Sequence, residues 1–246
     1  SLRSSIAKRR SHLNAALAAI EFYALRRDMV RNSKPLRYSY KSKDASKANF
    51  QNKNFNKTES YNSKFIGAKF VNTSLVGSKF KFCNMSQAIF DDCLIQGALF
   101  RKCILVGARF NRCIIVSTQF DRTKLRDCVM ENSTVLSSPL GDGFSENNLI
   151  STEVIQGYYP ETEFSEELLH RAELLRNNQF INRSSVLHRK KGRLNTISLK
   201  WLVDEFGESF LIQNLPLLES LVVKDFYTLS YLKVILHKLS LGDSVA

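Results

Sequence analysis

Four of the five cysteines are evenly spaced, and thiols in a regular series are candidate metal ligands or redox partners. Cys83, Cys93, Cys103 and Cys113 follow one another at intervals of ten residues, and Cys128 comes later. Four thiolates that converge on one point bind Zn²⁺ tetrahedrally, and two that meet can form a disulfide. Whether this series can do either depends on the element that carries it.

The other residues that could do chemistry form no pattern. The histidines are scattered, at His12, His170, His188 and His237, and the chain has no HExxH or CxxC motif. It also lacks a Gly-rich phosphate loop, a recognisable Ser/His/Asp order and an acid/base pair of carboxylates. The sequence therefore predicts no catalytic residue, no metal and no cofactor. An unrecognised enzyme would have to lie in residues 141–246.

The cysteines belong to a repeat of five residues. Of the nineteen residues met by stepping in fives from Phe50 to Leu140, eighteen are large and apolar, and the exception is Ser60. Of the nineteen that stand two places earlier, eighteen are small, and the exception is Lys53. Residues two apart in an extended segment share a face, so each small and large pair points the same way. The remaining three residues suffice only for a corner, which predicts a chain that coils and buries both positions.

This pattern resembles the pentapeptide-repeat family. Four units carry the resemblance: Ala48-Asn49-Phe50-Gln51-Asn52, Ala68-Lys69-Phe70-Val71-Asn72, Ala98-Leu99-Phe100-Arg101-Lys102 and Ala108-Arg109-Phe110-Asn111-Arg112. The resemblance covers residues 46–140 and implies a β-solenoid, a right-handed quadrilateral β-helix with four units in each coil and nearly five coils. Lys53 and Ser60 indicate a frayed or capped first coil. Ile150 and Ile155 return to the register, although Asn148 and Glu153 do not fit it.

The positions of the cysteines in the coil distinguish between a metal site, a redox pair and buried side chains. All five stand at the small interior position, with Cys83 and Cys103 on one side and Cys93 and Cys113 on the opposite side. Four thiols on opposite sides cannot converge on one metal. A redox pair would need accessible thiols, which interior positions do not offer. We therefore expect five buried small side chains.

Helical segments flank the coil. Residues 1–45 are predicted to be an N-terminal helix, over residues 1–33, and a basic linker. Residues 141–246 are predicted to be a mainly α-helical C-terminal domain, with helices at 166–180, 198–205, 215–223 and 227–239. The basic run of residues 188–193 is predicted to be a loop.

Composition limits the class of protein. The chain has 246 residues, a formal net charge of +13 and 43% hydrophobic residues, so it can form a packed core. No apolar run is long enough for a membrane span, and no secretory signal is visible near the start. The odd number of cysteines favours a reducing compartment. These observations predict a cytoplasmic protein.

Two outer faces of the predicted coil differ in character, because residues twenty apart stack in columns. The candidate basic partner face consists of Lys79, Lys81, Arg101, Lys102 and Arg122. The candidate apolar face consists of Val76, Leu94, Ile114, Val116 and Leu136. An apolar face on a protein surface packs against the protein's own elements or against a partner, and both alternatives stay open at this point.

The function that follows is a non-catalytic interaction module or scaffold that presents these faces to a protein partner or to a second copy. A nucleic-acid-binding protein that uses the basic face is the alternative. The family resemblance adds a third function, since some members look like duplex DNA and protect type II topoisomerases. That mimicry needs an acidic surface, whereas residues 46–140 carry 14 Lys and Arg against 6 Asp and Glu, a net +8.

Overall fold

A computed structural model describes residues 38–140, 144 and 146–241 of the chain. The helix predicted over residues 1–33 lies outside the described residues. Within them, a β-solenoid of about five coils at residues 59–155 precedes a helical region, and this confirms the expected fold class.

The solenoid has four faces because the chain turns a corner after each five-residue unit, and we number the faces in chain order through one coil. The first face contains β1 (Glu59–Tyr61), β3 (Lys79–Lys81) and β6 (Leu99–Arg101). The second has single bridges at Lys64, Asn84, Ile104 and Lys124. The third contains β2 (Lys69–Val71), β4 (Ile89–Asp91), β7 (Arg109–Asn111), β9 (Val129–Glu131) and β11 (Leu149–Ile150). The fourth contains β5 (Leu94–Gln96), β8 (Ile114–Val116), β10 (Thr134–Leu136) and β12 (Glu153–Ile155).

Neighbouring coils pair in parallel, at a register of twenty residues as far as β10. Phe80 lies opposite Phe100, for example, and Phe90 opposite Phe110. Corner residues adopt positive φ, and their N–H groups donate to the following coil. Asn72 (φ 49°) donates to the carbonyl of Asp91 at 2.9 Å. The coil therefore follows directly from four units of five residues.

The interior consists of four columns of large side chains. One column stacks Phe50, Phe70, Phe90 and Phe110 with ring centroids 5.0, 4.9 and 4.7 Å apart. The opposite column stacks Phe80, Phe100 and Phe120 at 5.3 Å. The other two columns are mostly aliphatic. The small residue of each unit leaves the space that these rings occupy.

The first coil is capped by tyrosines. Tyr40 precedes Ser60 by one coil, and its ring lies 5.2 Å from that of Phe65 and 5.9 Å from that of Phe50. Tyr38 stacks on Phe55 at 4.9 Å. The ring of Tyr40 therefore lies among the large side chains of a coil in which Ser60 supplies little volume. Of the two possibilities that the sequence left open, capping is the one observed.

The last half-coil corrects the expected register. Leu149, not Ile150, lies opposite Met130, and Val154, not Ile155, lies opposite Val135. The register is nineteen residues here, because the connection after Leu140 is one residue shorter than a full coil requires. Ile150 and Val154 are each 49% exposed in this last half-coil. The interpretation that Ile150 and Ile155 return to the interior register is thus wrong by one residue.

The helical region contains six α-helices among the described residues: α1 (Glu166–Leu174), α2 (Gln179–Ser184), α3 (Thr196–Phe206), α4 (Glu208–Asn214), α5 (Leu218–Leu221) and α6 (Leu229–Ser240). Ser165 caps α1 by accepting a hydrogen bond from the N–H of Leu168. The helix predicted at 166–180 is instead two helices, because Asn178 has an extended backbone and caps α2. None of these described helices has the length and apolar character needed to cross a bilayer.

Two further helical predictions need correction. Residues 215–223 begin as a 3-10 turn with Pro216 in its first turn, and only α5 within them is α-helical. The sequence also missed α4. The run at 188–193 is not a plain loop: β13 (His188–Arg189) pairs antiparallel with β14 (Arg193–Leu194). Lys191 and Gly192 have φ of 63° and 67°, which suits a tight hairpin.

From Tyr38 onward the chain forms one unit, since the fourth face of the solenoid and the helices share a second hydrophobic core. Leu94, Ile114, Val116 and Leu136 are each 3–4% exposed within it. The indole N–H of Trp201 also donates to Oγ1 of Thr134 at 2.9 Å. The helical region is therefore packed side-on against the coil.

One buried histidine makes the helical region sensitive to acid. His188 is 2% exposed, and its Nε2 lies 3.0 Å from the carbonyl oxygen of Ala172. Its Nδ1 has no hydrogen-bond partner in the part of the chain that the structure describes. Burial, with a smaller contribution from Arg176, lowers the pKa of His188. The unfolded chain takes up a proton near pH 6.5 whereas the folded chain resists it, so stability falls as the pH drops below about 6.5.

We expect His188→Gln to reduce this acid sensitivity. The glutamine amide can donate to the same carbonyl but cannot titrate. The variant should therefore keep the free energy of unfolding that the wild type loses on acidification, at most about 1.4 kcal/mol per pH unit. Thermal midpoints of both proteins at pH 7.5 and pH 5.5 measure the effect, and the wild type should fall further. Equal falls in the two proteins would show that His188 does not titrate differently on folding.

Candidate interaction faces of the solenoid

The first face holds the predicted basic residues, and its strands and corners position them differently. Lys79 and Lys81 point outward from β3, and Arg101 points outward from β6. Lys102 and Arg122 stand at the following corner, where φ is 51° and 50°. The same corner column contains Phe82 one coil earlier, because corner residues also recur every twenty positions. All five cations thus lie on one side of the coil.

Carboxylates neutralise part of this face. Nζ of Lys81 lies 2.5 Å from Oε1 of Glu59, and Nε of Arg101 lies 2.7 Å from Oδ2 of Asp121. Arg122 also approaches Asp121, at 3.9 Å. The hydrogen bond from Lys81 lowers the pKa of Glu59. Such exposed pairs add little stability. Among the described residues they leave Lys79 and Lys102 as the cations of this set without a carboxylate partner.

Two exposed aromatic rings lie among the cations. Tyr61 and Phe82 are 44% and 43% exposed, and their ring centroids are 5.3 Å apart in an edge-to-face arrangement. Nζ of Lys102 lies 5.2 Å from the centroid of Phe82, within the range of a cation–π contact. The first face is therefore a mixed basic and aromatic surface.

The predicted apolar face is the fourth face, and the helical region covers it. Leu94, Ile114, Val116 and Leu136 are buried, and Val76 packs against the same core while partly buried. Packing within the chain is thus the observed alternative. The idea that this face is presented to a partner is wrong for the described structure, because its side chains already contact the helices.

The cysteines are interior, as the repeat predicts. All five are buried and unpaired, and Sγ of Cys93 and Cys113 lie within 3.4 Å of the carbonyl oxygens of Phe70 and Phe90. Burial raises the pKa of Cys113 well above its usual value and that of Cys128 to about 12. Thiols of this kind are poor nucleophiles. In the described part of the chain, no group of three or more His, Cys, Asp and Glu could hold a metal ion.

The histidines are not brought together by the fold. His12 lies outside the described residues, His170 is exposed, and His188 is buried. Nε2 of His237 lies 2.6 Å from Glu205, whose other oxygen contacts Lys233. No pattern in the sequence indicates this cluster, since its members come from two helices and have no common spacing.

Comparison with known proteins identifies the repeat. The family model for pentapeptide repeats matches residues 61–97 and 93–132 with eight copies. A pentapeptide repeat protein from the Arabidopsis thaliana thylakoid lumen is similar in structure, with 18% identity over 46% of this chain and 79% of that chain and a TM-score of 0.37. The protein Rfr23 from the cyanobacterium Cyanothece 51142 has 10% identity over 49% and 90% of the two chains and a TM-score of 0.30.

A trypsin-treated form of QnrB1, a plasmid-mediated fluoroquinolone resistance protein, has 15% identity over 50% of this chain and 88% of that chain, with a TM-score of 0.24. A search of curated protein sequences found no match. The family match coincides with the coils in which the strands, corners and Phe columns recur every twenty residues. Residues 61–132 therefore match the pentapeptide-repeat family in the pattern of their sequence, and they form the coil.

Proposed function

We propose that the protein is a non-catalytic interaction module that binds an acidic surface of a protein partner through its first face. The observation that carries this proposal is the exposed aromatic pair of Tyr61 and Phe82, which lies among cations. Aromatic side chains that can be buried at an interface supply much of its binding energy. An aromatic pair left in water at the surface of a folded protein thus favours a binding role.

The charges beside the pair favour an acidic partner. Lys79 and Lys102 lack carboxylate partners among the described residues, and Lys102 lies against Phe82. Cations around an apolar centre steer an acidic protein toward the surface and suppress contacts with basic ones. We therefore expect the partner to be a folded protein with a carboxylate-rich patch.

The solenoid supports the surface as a rigid element. The backbone of the first face is fixed by parallel pairing between β1, β3 and β6, and the Phe80 column lies directly behind it. A surface that does not change its backbone on binding loses little conformational entropy. The helical region occupies the fourth face and leaves the first face free.

A double variant tests the proposal. Phe82→Asn with Lys102→Glu removes the ring and reverses the adjacent charge, while asparagine tolerates the positive φ of 56° at this corner. After a partner is recovered from the native host with the full chain, we expect the double variant to bind it about 30-fold more weakly, as for the loss of an aromatic hot spot.

The matched control reverses charge away from the first face. Lys190→Glu with Lys191→Glu changes two exposed cations in the hairpin of the helical region and should leave the affinity within about twofold. The proposal fails if the Phe82 and Lys102 variant retains wild-type affinity, or if the hairpin variant loses as much.

A further inference from the structure

The positive charge of the solenoid is concentrated at its beginning. Residues 41–81 contain nine lysines and only two carboxylates, Asp44 and Glu59. Residues 82–140 contain seven Lys and Arg against five Asp and Glu. The net charge therefore changes from +7 to +2 along the same coil axis. We call the nine lysines the lysine collar: Lys41, Lys43, Lys47, Lys53, Lys57, Lys64, Lys69, Lys79 and Lys81.

Ion pairing sharpens the contrast between the two parts. In the later coils, four of the five carboxylates lie beside an arginine, with Arg112 contacting both Asp91 and Asp92. In the collar, Lys81 with Glu59 is the one pair within ion-pair distance among the described residues. Among the described residues, nearly all the charge of the collar is thus unpaired.

The collar extends around three faces of the solenoid and one further corner rather than occupying one side. Lys41 and Lys79 lie on the first face, Lys64 on the second and Lys69 on the third. Lys57 stands at the corner that follows the fourth face, one coil before Gly77. Seven of the nine lysines are exposed, and only Lys53 and Lys81 are partly buried.

The choice of lysine in the collar favours long-range electrostatic attraction over recognition of a group with fixed geometry. Every cation in the collar is a lysine, whereas five of the seven cations in residues 82–140 are arginines. An ammonium is a hydrated point charge, and arginine is preferred where a phosphate or carboxylate is held with fixed two-point geometry. The collar is therefore suited to bind a surface on which negative charges are dense and evenly distributed.

We propose that the lysine collar docks the protein end-on against an anionic lipid surface. A flat surface that meets the end of a rod approaches cations on several sides together, whereas a DNA duplex or an acidic protein groove meets one side. The collar spans two coils, about 10 Å along the axis, which is about one Debye length at 0.1 M salt. Lysines in both coils therefore feel the surface, each with a favourable contribution.

This docking is independent of the protein partner proposed for the first face. It needs no membrane-spanning helix, since attraction to anionic headgroups acts from the aqueous side. It also gives the charge a role that ion pairs within the fold do not fill. Lys79 belongs to both surfaces, whereas the aromatic pair and Lys102 belong to the first face alone.

The test is co-sedimentation of the full chain with vesicles. One vesicle contains about one third phosphatidylserine in phosphatidylcholine, and the other contains phosphatidylcholine alone. We expect binding to the first vesicle only, with a steep fall as salt rises from about 0.05 to 0.5 M. Three charge-reversed pairs on different sides then measure geometry: Lys41→Glu with Lys79→Glu, Lys47→Glu with Lys64→Glu, and Lys57→Glu with Lys69→Glu.

Each pair should weaken vesicle binding by about tenfold or more, and by similar factors, because all sides approach a plane equally. A control pair in the later coils, Lys124→Glu with Arg126→Glu, should change binding less than about twofold. All eight side chains are exposed, so circular dichroism and thermal midpoints should match the wild type and exclude misfolding.

Three results would overturn the proposal. Equal binding to both vesicles, or to neither, removes the role of anionic lipid. Loss confined to the Lys41 and Lys79 pair shows contact with one side only. Tighter binding to a 30-base-pair DNA duplex than to the anionic vesicles, with the same collar pairs responsible, assigns the collar to nucleic acid instead.

Discussion

Replacing Phe90 with alanine is expected to lower the free energy of unfolding by about 3–5 kcal/mol. Phe90 is fully buried at the middle of its column, with ring centroids 4.9 Å from Phe70 and 4.7 Å from Phe110. It also meets Phe100 edge-on at 6.3 Å. Parallel pairing fixes the backbones of both neighbouring coils, so their side chains cannot move in to fill the cavity that alanine leaves. The loss of stability should therefore lie in the upper part of the range observed for truncations in protein cores.

Chemical denaturation of the full chain measures this change. Phe82→Asn is the matched control, since it removes an exposed ring from the same solenoid without making a cavity, and we expect a loss below about 1 kcal/mol. If Phe90→Ala were no more destabilising than Phe82→Asn, the stacked column would not be what holds the coils together.

Ile114→Asp is expected to separate the helical region from the solenoid, at a cost of about 3–5 kcal/mol. Ile114 is the first residue of β8, at the centre of the fourth face, and is 4% exposed beneath the helices. A carboxylate there loses its hydration, and the two cations that line the same small cavity, Arg112 and Lys233, already pair with other carboxylates. Its burial is therefore opposed by desolvation. The helices should detach before the coils unfold.

The solenoid provides a matched control at Ile104. This isoleucine holds the equivalent outward position on the second face, which no helix covers in the described structure. We expect Ile104→Asp to cost below about 1 kcal/mol. Limited proteolysis after residue 155 gives the readout: cleavage should accelerate in the Ile114 variant and not in the Ile104 variant. Equal protection of the two variants would show that fourth-face packing does not hold the helical region.

The solenoid could be predicted in detail because its period is short and its physical demands are local. Phe90 must be large and Ala88 small in one unit for the same reason as Phe110 and Ala108 in the next. The five cysteines followed from that rule, and they are buried as it requires. The rule failed after Leu140, where a connection one residue shorter moved Leu149 rather than Ile150 opposite Met130.

The helical region was predictable in type and less so in detail. Helix starts followed from side-chain caps, as at Ser165, and breaks were missed where a cap lies inside a continuous apolar pattern, as at Asn178. Rules that use only neighbouring residues in the sequence could not predict that the helical region packs on the fourth face. Nothing in the spacing of Ile114 and Leu136 shows which element covers them, because that contact joins residues far apart in sequence.

The outer faces of the solenoid were also predictable in part. The columns of the first face were predictable, because stacking repeats every twenty residues. The pairing of Arg101 with Asp121 follows from that spacing too, yet its effect on the free charge of the face needed atomic distances. A cytoplasmic location and the domain boundaries at residues 45 and 140 stay predictions.

The corner residues carry a consequence for how the protein folds. At Asn72, Asp92 and Arg112 a residue other than glycine adopts positive φ, a conformation that costs about 1–2 kcal/mol per residue. Each of these corners donates its N–H to a carbonyl of the following coil, at 2.9–3.0 Å. The unfavourable conformation thus arises within one coil, while the compensating bond exists only between two. A single coil is unstable alone, so folding must propagate through adjacent pairs, and the solenoid behaves as a one-dimensional cooperative chain whose stability resides in the junctions between its coils.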